Sequence, residues 1–269
     1  SMRPIFWANA KDNYIDITSE WDHFPNGRWG DSSKPSFGEI NDYHLFTVNL
    51  GSKNNKLKIW GKEIKNIDDV SKVFINFLNN EIKYIPWCDN QSDETFIIKD
   101  QLIELNKKGL LTINSQPKLN GVSSNSKDGW GKPNGYIYQK AYIEFFTDKE
   151  KLDLLINNFD SDISYCAINL NDNMITNCDH NVNALTWGVF KNSEIIQPTI
   201  ADVESFQIWK KEAFKLWISE WASIYPKDSE SYNFITQIYR NYYLVFVIDN
   251  NYIDGNIFEK LIDINDEKV

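Results

Sequence analysis

The sequence predicts a single α+β domain, with mixed β-sheets flanked by helices, neither a TIM barrel nor a Rossmann fold. Three observations lead there. Apolar residues at helical spacing mark amphipathic helices, most clearly Val70, Val73, Phe74, Phe77 and Leu78. Runs such as 111–116 and 243–248 have the composition and period of strands. Helices and strands do not alternate regularly enough for a doubly wound sheet or a barrel, and no linker divides the 269 residues.

Taken in order, residues 3–40 read as a loop-like segment with turn clusters at Pro25-Asn26-Gly27 and Asp31-Ser32-Ser33, pinned by Trp7, Trp21, Phe24 and Trp29. Residues 43–49 read as a short strand, although helix is also open there. A helix over 67–78 and an extended piece over 84–87 follow. A second helix runs from about Glu94 to Lys108, with Ile98, Leu102 and Leu105 on one face and Ser92 and Asp93 as N-cap candidates. Gly109 is its left-handed cap, and Leu111 and Ile113 then alternate with Thr112, Asn114 and Gln116 until Pro117 ends the strand. Residues 118–134 read as a polar loop and 135–146 as one long strand. Thr147 and Glu150 form a capping box for the next helix. The strand at 163–169 would lie beside the 135–146 strand and parallel to it. Residues 185–190 and 195–200 form a hairpin about 191–194, with Phe190 opposite Ile195 and Thr186 opposite Thr199. Asp202 caps a helix reaching Trp221. A helix at 231–240, a strand at 243–248 and a helix near 257–262 complete the chain. No internal repeat is present.

Composition narrows the function. The net charge of −10 argues against nucleic acid or an anionic membrane as partner. No apolar run approaches the ~20 residues of a membrane span, and no secretory leader opens the chain. Cys88, Cys166 and Cys178 show no metal or disulfide spacing, which suits free thiols in a reducing, cytoplasmic compartment. His23, His44 and His180 form no metal-type cluster. Ser1-Met2 reads as a cloning scar before the abrupt Arg3-Pro4-Ile5-Phe6-Trp7, so the chain reads as a piece of a longer protein. There is no GxGxxG after a strand, no GxxxxGK[ST], no GxSxG elbow and no credible Cys-His pair, so no catalytic residues are assigned.

What remains is a polar set: Glu94 and Thr95 at a helix start, Thr112, Asn114, Ser115 and Gln116 on a strand, and Thr186 and Thr199 on a hairpin. A helix N-terminus suits a carboxylate, and a glutamate suits an ammonium, a sulfonium or a ribose diol. The set therefore fits an amino-acid-bearing cationic ligand. It fits equally a capped helix and threonine-bearing strands with no ligand at all.

Longer runs add to this reading. RPIFW, EWDHFPNGRWGDSS, the Glu94-Thr95 pair, GLLTINSQP, QKAYIEFFT, ALTWGVF, EIIQPT and FQIWKKEAFKLWISEW occur in order from Arg3 to Trp221. Together they resemble the C-terminal regulatory domain of eukaryotic methylenetetrahydrofolate reductase. The resemblance implies a domain that binds S-adenosylmethionine as an allosteric inhibitor, accommodates S-adenosylhomocysteine, and contributes to a homodimer. It implies that FAD and NAD(P)H belong to a catalytic barrel outside this chain. It makes residues 1–40 the scar, interdomain linker and extended segment, and residues 41–269 the regulatory domain. Ligand contacts carried over on it fall on Glu94 and Thr95, on Thr112, Ile113, Asn114, Ser115 and Gln116, and on Thr186 and Thr199. Ser92 and Asp93 stand beside them. Cys88 occupies a position where the family has asparagine, and a thiol lacks an amide's paired donor and acceptor. Trp7 and Trp87 are the candidates to pack on adenine. Strict alternation puts Thr112 and Ser115 on opposite faces, so a ligand touching both requires a turn after Asn114. The alternatives are a homodimerisation module whose polar strand is purely structural and, more remotely, a carbohydrate-binding module suggested by the Trp and Asn content.

Overall fold

The structure, a computed structural model, describes residues 7–11, 14–18, 53–83, 85, 95–124, 135–169, 175–178, 187–191, 194–196, 218–251 and 254–266. Its centre is an antiparallel five-stranded sheet of order β3-β6-β11-β7-β8, formed by β3 (Leu111–Gln116), β6 (Tyr142–Thr147), β11 (Tyr243–Asp249), β7 (Ile163–Asn169) and β8 (Ile175–Cys178). A four-stranded sheet of order β10-β9-β5-β4 contains β4 (Leu119–Ser124), β5 (Gly135–Gln139), β9 (Trp187–Lys191) and β10 (Glu194–Ile196). A hairpin pairs β1 (Trp7–Lys11) with β2 (Tyr14–Thr18). The described helices are α1 (Lys53–Trp60), α2 (Ile67–Leu78), α3 (Thr95–Lys107), α4 (Lys149–Asn158), α5 over 218–223, α6 (Glu230–Asn241) and α7 (Ile257–Asp266). This is the single α+β domain the sequence predicts, built on an open sheet.

One face of the five-stranded sheet carries Ile143, Phe145, Ala167, Val245 and Val247. They pack with Ile98, Leu102 and Leu105 of α3, Leu152 and Leu155 of α4, and Ile257, Phe258 and Leu261 of α7 in one buried cluster. Burying side chains of this kind supplies about 1.5–3 kcal/mol each, the main favourable term. The other face carries Phe146, Leu244, Cys166 and Ile168, with Tyr142 stacked on Phe246 at 5.3 Å. Cys166 is fully buried on this face. Trp221 of α5 meets Trp60 and Phe74 edge-on at 6.1 and 6.4 Å, which ties α1 and α2 to the C-terminal half. The same joint is closed by the Ile64 N–H donating to Ser231 Oγ and the Tyr225 hydroxyl donating to the Gly61 carbonyl.

Several local expectations change. The loop-like N-terminal segment contains β1 and β2, whose Ile15-Asp16-Ile17 alternation is a strand signal. β4 lies inside the expected 118–134 loop, and the expected long strand is two, β5 and β6, in different sheets. Gln116 stands opposite Tyr142 and Leu119 opposite Gln139, so one ribbon runs in register from the first sheet into the second. It bends at Pro117-Lys118 and Lys140-Ala141, where Pro117 has no N–H to continue the ladder. β6 and β7 are not neighbours, because β11 inserts between them, antiparallel to both. Asp148, not Thr147, caps α4, its carboxylate accepting from the Lys151 N–H at 2.8 Å. The expected register Phe190 opposite Ile195 is present, and the expected Thr186–Thr199 pair lies outside the described residues.

Candidate functional site

The strand β3 is entered from α3 through a tight reversal. The Leu110 N–H donates to the Leu105 carbonyl and the Gly109 N–H to that of Asn106, with Gly109 at φ +83°. This paired closure needs a left-handed residue, and glycine adopts that conformation without a Cβ penalty. The chain therefore doubles back, and α3 lies along β3. Thirteen helical residues rise about 18 Å from first to last. Six strand residues span about 17 Å. Running back along β3, α3 is long enough for its start to reach toward the Ser115–Gln116 end.

Thr95, Ile98, Leu102, Leu105 and Asn106 form the buried stripe of α3, so Thr95 (1% exposed) continues that stripe at the helix start. The first turn, Thr95-Phe96-Ile97-Ile98, carries no carboxylate, which leaves the positive end of the helix dipole without a first-turn counter-charge. Phe96 and Ile97 on the same turn are exposed.

β3 does not keep strict alternation. Thr112 stands opposite Phe145 and Asn114 opposite Glu144, so Ile113 is an extra residue, a β-bulge. Beyond it Ser115 stands opposite Ile143 and Gln116 opposite Tyr142. Phe145 and Ile143 share one face, so the bulge brings Thr112 and Ser115 together on the α3 side. The sequence required a turn after Asn114 for this; the structure makes it one residue earlier, at Ile113.

The polar groups here are not alike. Thr112 Oγ1 accepts from Asn106 Nδ2 at 2.8 Å, and its N–H donates to Asn106 Oδ1 at 3.3 Å. The Thr112 hydroxyl hydrogen is therefore left to donate elsewhere. Gln116 Nε2 donates to the Lys140 carbonyl at 2.8 Å, at the bend of the ribbon. Ser115 differs: the residue is 6% exposed, and its hydroxyl is buried with no hydrogen-bond partner among the described residues. A buried hydroxyl without a partner costs about 1–3 kcal/mol, so such a group calls for an explanation.

The bend carries a buried ion pair. Lys118 Nζ donates to Asp249 Oδ2 at 2.8 Å, with side-chain exposures of 13% and 3%, and also to the Asp254 carbonyl. The Asp249 N–H closes onto the Ala141 carbonyl at 2.9 Å. Burial pulls the Lys140 ammonium below its ordinary value, with the Asp249 charge opposing.

Thr95, Thr112, Ser115 and Gln116 are thus placed around one helix and one strand, with Ile113 and Asn114 at the bulge. Trp7 lies within β1, but its side chain is outside the described residues. The side chain of Asn114 and the whole of Trp87, Cys88, Ser92, Asp93, Glu94, Thr186 and Thr199 are also outside them. Sequence reasoning missed Asn106 and the Lys118–Asp249 pair. Asn106 left a signal, since it falls four residues after Leu102 on the apolar stripe of α3. Among the described residues no His, Cys, Asp or Glu cluster could hold a metal ion.

Fold and site define an α+β domain whose bulged edge strand carries buried polar groups on the face packed against a helix. The chain belongs to the family described as "MTHFR, SAM-binding regulatory domain", which it matches over residues 1–268. It is 45% identical over 263 residues to the probable methylenetetrahydrofolate reductase (NADH) of Oryza sativa subsp. japonica, covering 96% of this chain and 44% of that protein. It is 40% identical to the probable methylenetetrahydrofolate reductase (NADPH) of Caenorhabditis elegans, covering 94% and 41%. With methylenetetrahydrofolate reductase 1 of Schizosaccharomyces pombe the identity is 39%, covering 98% and 45%. The chain spans less than half the length of these relatives. It is the regulatory part of a family of oxidoreductases.

Proposed function

We propose that this chain is the S-adenosylmethionine sensor of a methylenetetrahydrofolate reductase, that it also takes S-adenosylhomocysteine, and that it catalyses nothing itself. The observation that carries the reading is the buried Ser115 hydroxyl, without a partner among the described residues, on the face of β3 that α3 covers. In this reading the N–H groups of the first turn of α3, with Thr95, take the methionyl carboxylate, and Glu94 takes the ammonium. Ser115 and Thr112 supply hydrogen bonds along the strand, with Ile113, Asn114 and Gln116 forming its backbone frame. Thr186 and Thr199 close the cradle from the hairpin side. Ser92, Asp93 and Cys88 flank it, and Trp7 or Trp87 packs on adenine.

Residues 1–40 would serve as linker and extended segment, and residues 41–269 as the regulatory domain. Its partners would be a catalytic barrel holding FAD and NAD(P)H and a second copy in a cytoplasmic homodimer. Inhibition follows if the ligand binds the inhibited arrangement more tightly than the active one. A tenfold preference requires only about 1.4 kcal/mol, within reach of one carboxylate or aromatic face near the sulfonium.

Calorimetric titration of the chain with each adenosyl ligand tests the reading. Heat of binding that falls in Ser115→Val supports it, and no heat with either ligand in a folded sample overturns it. Binding that is indifferent to Ser115→Val and Thr112→Val would leave the polar strand structural, as in a dimerisation module.

A further inference from the structure

We infer that Asn106 is the positioning residue of the adenosyl site, because it is the clamp that keeps Thr112 and Ser115 on one face of β3. The inference rests on the proposed function above for its ligand, and on the geometry alone for the clamp. Asn106 is fully buried in the last turn of α3. Its amide is anchored to its own helix by Nδ2 donating to the Leu102 carbonyl at 2.8 Å. The same nitrogen donates to Thr112 Oγ1, and Oδ1 accepts from the Thr112 N–H. One amide therefore holds both the backbone and the side chain of the residue immediately before the bulge.

That position is where β3 most needs holding. β3 is the edge strand of its sheet, and among the described strands β6 alone pairs with it to fix its register. Without the bulge, alternation would offer Ile113 a place opposite Phe145 in the apolar cluster, the location an isoleucine favours. In any bulge-free register that keeps all the residues, Thr112 and Ser115 fall on opposite faces. The bulged register instead places the Thr112 hydroxyl toward α3, where Asn106 satisfies it. Because Asn106 spends its donor on Thr112 Oγ1, the Thr112 hydroxyl faces the site as a donor. Its hydrogen would read an acceptor on the ligand, a carboxylate oxygen or a ring nitrogen.

Asn106→Leu, which keeps the volume and removes all three bonds, tests this in two ways. Cross-strand nuclear Overhauser contacts report the register: the unaltered chain shows Thr112 with Phe145 and Ser115 with Ile143 together, and Asn106→Leu loses one of the two. Titration with S-adenosylhomocysteine reports the consequence, affinity weaker by at least about tenfold. Deleting Ile113 preserves both pairings without a bulge, so Asn106→Leu in that background changes affinity less than about threefold. That rescue is a result a merely stabilising asparagine would not give. If Asn106→Leu does not fold, Thr112→Val removes one of the bonds with β-branched volume retained, and the same contacts carry the test. A folded Asn106→Leu chain with both contacts intact overturns the clamp. Intact clamp behaviour in a chain that binds neither adenosyl ligand overturns the proposed function and leaves the clamp standing.

Discussion

β11 and β3 lie in the same sheet and are held by opposite means. β11 is a central strand whose Leu244, Val245, Phe246, Val247 and Ile248 are all buried, paired without a register shift to β6 on one side and β7 on the other. Its register is fixed because a slip by one residue would misplace five apolar side chains on two packed faces. β3 sits at the edge, carries a bulge, and buries Thr112, Ser115 and Gln116, two of them held by dedicated hydrogen bonds to α3 and to the ribbon bend. The central strand stores stability, and the edge strand holds buried polar groups in a costly arrangement, which on the proposed function a ligand relieves. Strain of this sort is affordable at the edge because the centre is overdetermined.

The largest expected effect breaks the central side of the contrast. Phe246→Ala removes a fully buried ring stacked on Tyr142 and should cost about 3–5 kcal/mol in chemical denaturation. Ligand affinity of the folded fraction should stay within about twofold. Lys118→Met attacks the joint where the end of β11 meets the chain leaving β3. It strands the buried Asp249 carboxylate and should cost about 2–4 kcal/mol, partly recovered by adding Asp249→Asn.

Gly109→Ala tests the entry to β3. The new Cβ meets φ +83° and lies 2.9 Å from the flexible end of Lys151, so about 1–2 kcal/mol is expected, measured by thermal melting. At the entry to β11, burial pushes the Tyr242 phenol up to about 12, with the Asp148 charge adding to it. A folded-state value above the unfolded 10 means this contribution is complete below pH 10 and lost as pH rises toward 12. Tyr242→Phe should therefore flatten the alkaline stability loss by about 1 kcal/mol, allowing for partial solvent screening. The smallest stability effect belongs to Ser115→Ala, which removes a buried hydroxyl with no partner among the described residues and should raise folding stability by about 1 kcal/mol, the low end of the cost of such a group. On the proposed function it should nonetheless weaken adenosyl binding several-fold. Stability and affinity thus dissociate in opposite senses at the two strands.

What the sequence made legible follows the same division. α2 and the extents of β3, β7 and β11 could be read because their apolar periods or buried runs are unbroken, and Gly109 and Pro117 punctuate β3 on both sides. α1 left little trace, since Lys53–Trp60 has no apolar stripe. β4 was hidden by its polar Asn120-Gly121 stretch, where the ladder with β5 also shifts register. The split between β5 and β6, and the insertion of β11 between β6 and β7, are decisions of tertiary pairing that no local pattern encodes. At the site, the helix start and the strand were legible as separate pieces. The bulge at Ile113 was not, because LTINSQ alternates too well to advertise an extra residue. The asparagine that holds it lies one element away in the chain.

The central claim is that the start of α3 and the far end of β3 form one ligand cradle while β11 only supports it. Amide hydrogen exchange with and without S-adenosylhomocysteine tests this most directly. Binding should slow exchange over residues 95–99 and 113–118 and leave 244–248 unchanged. Slowing confined to other segments, or none despite measurable binding, would contradict the account.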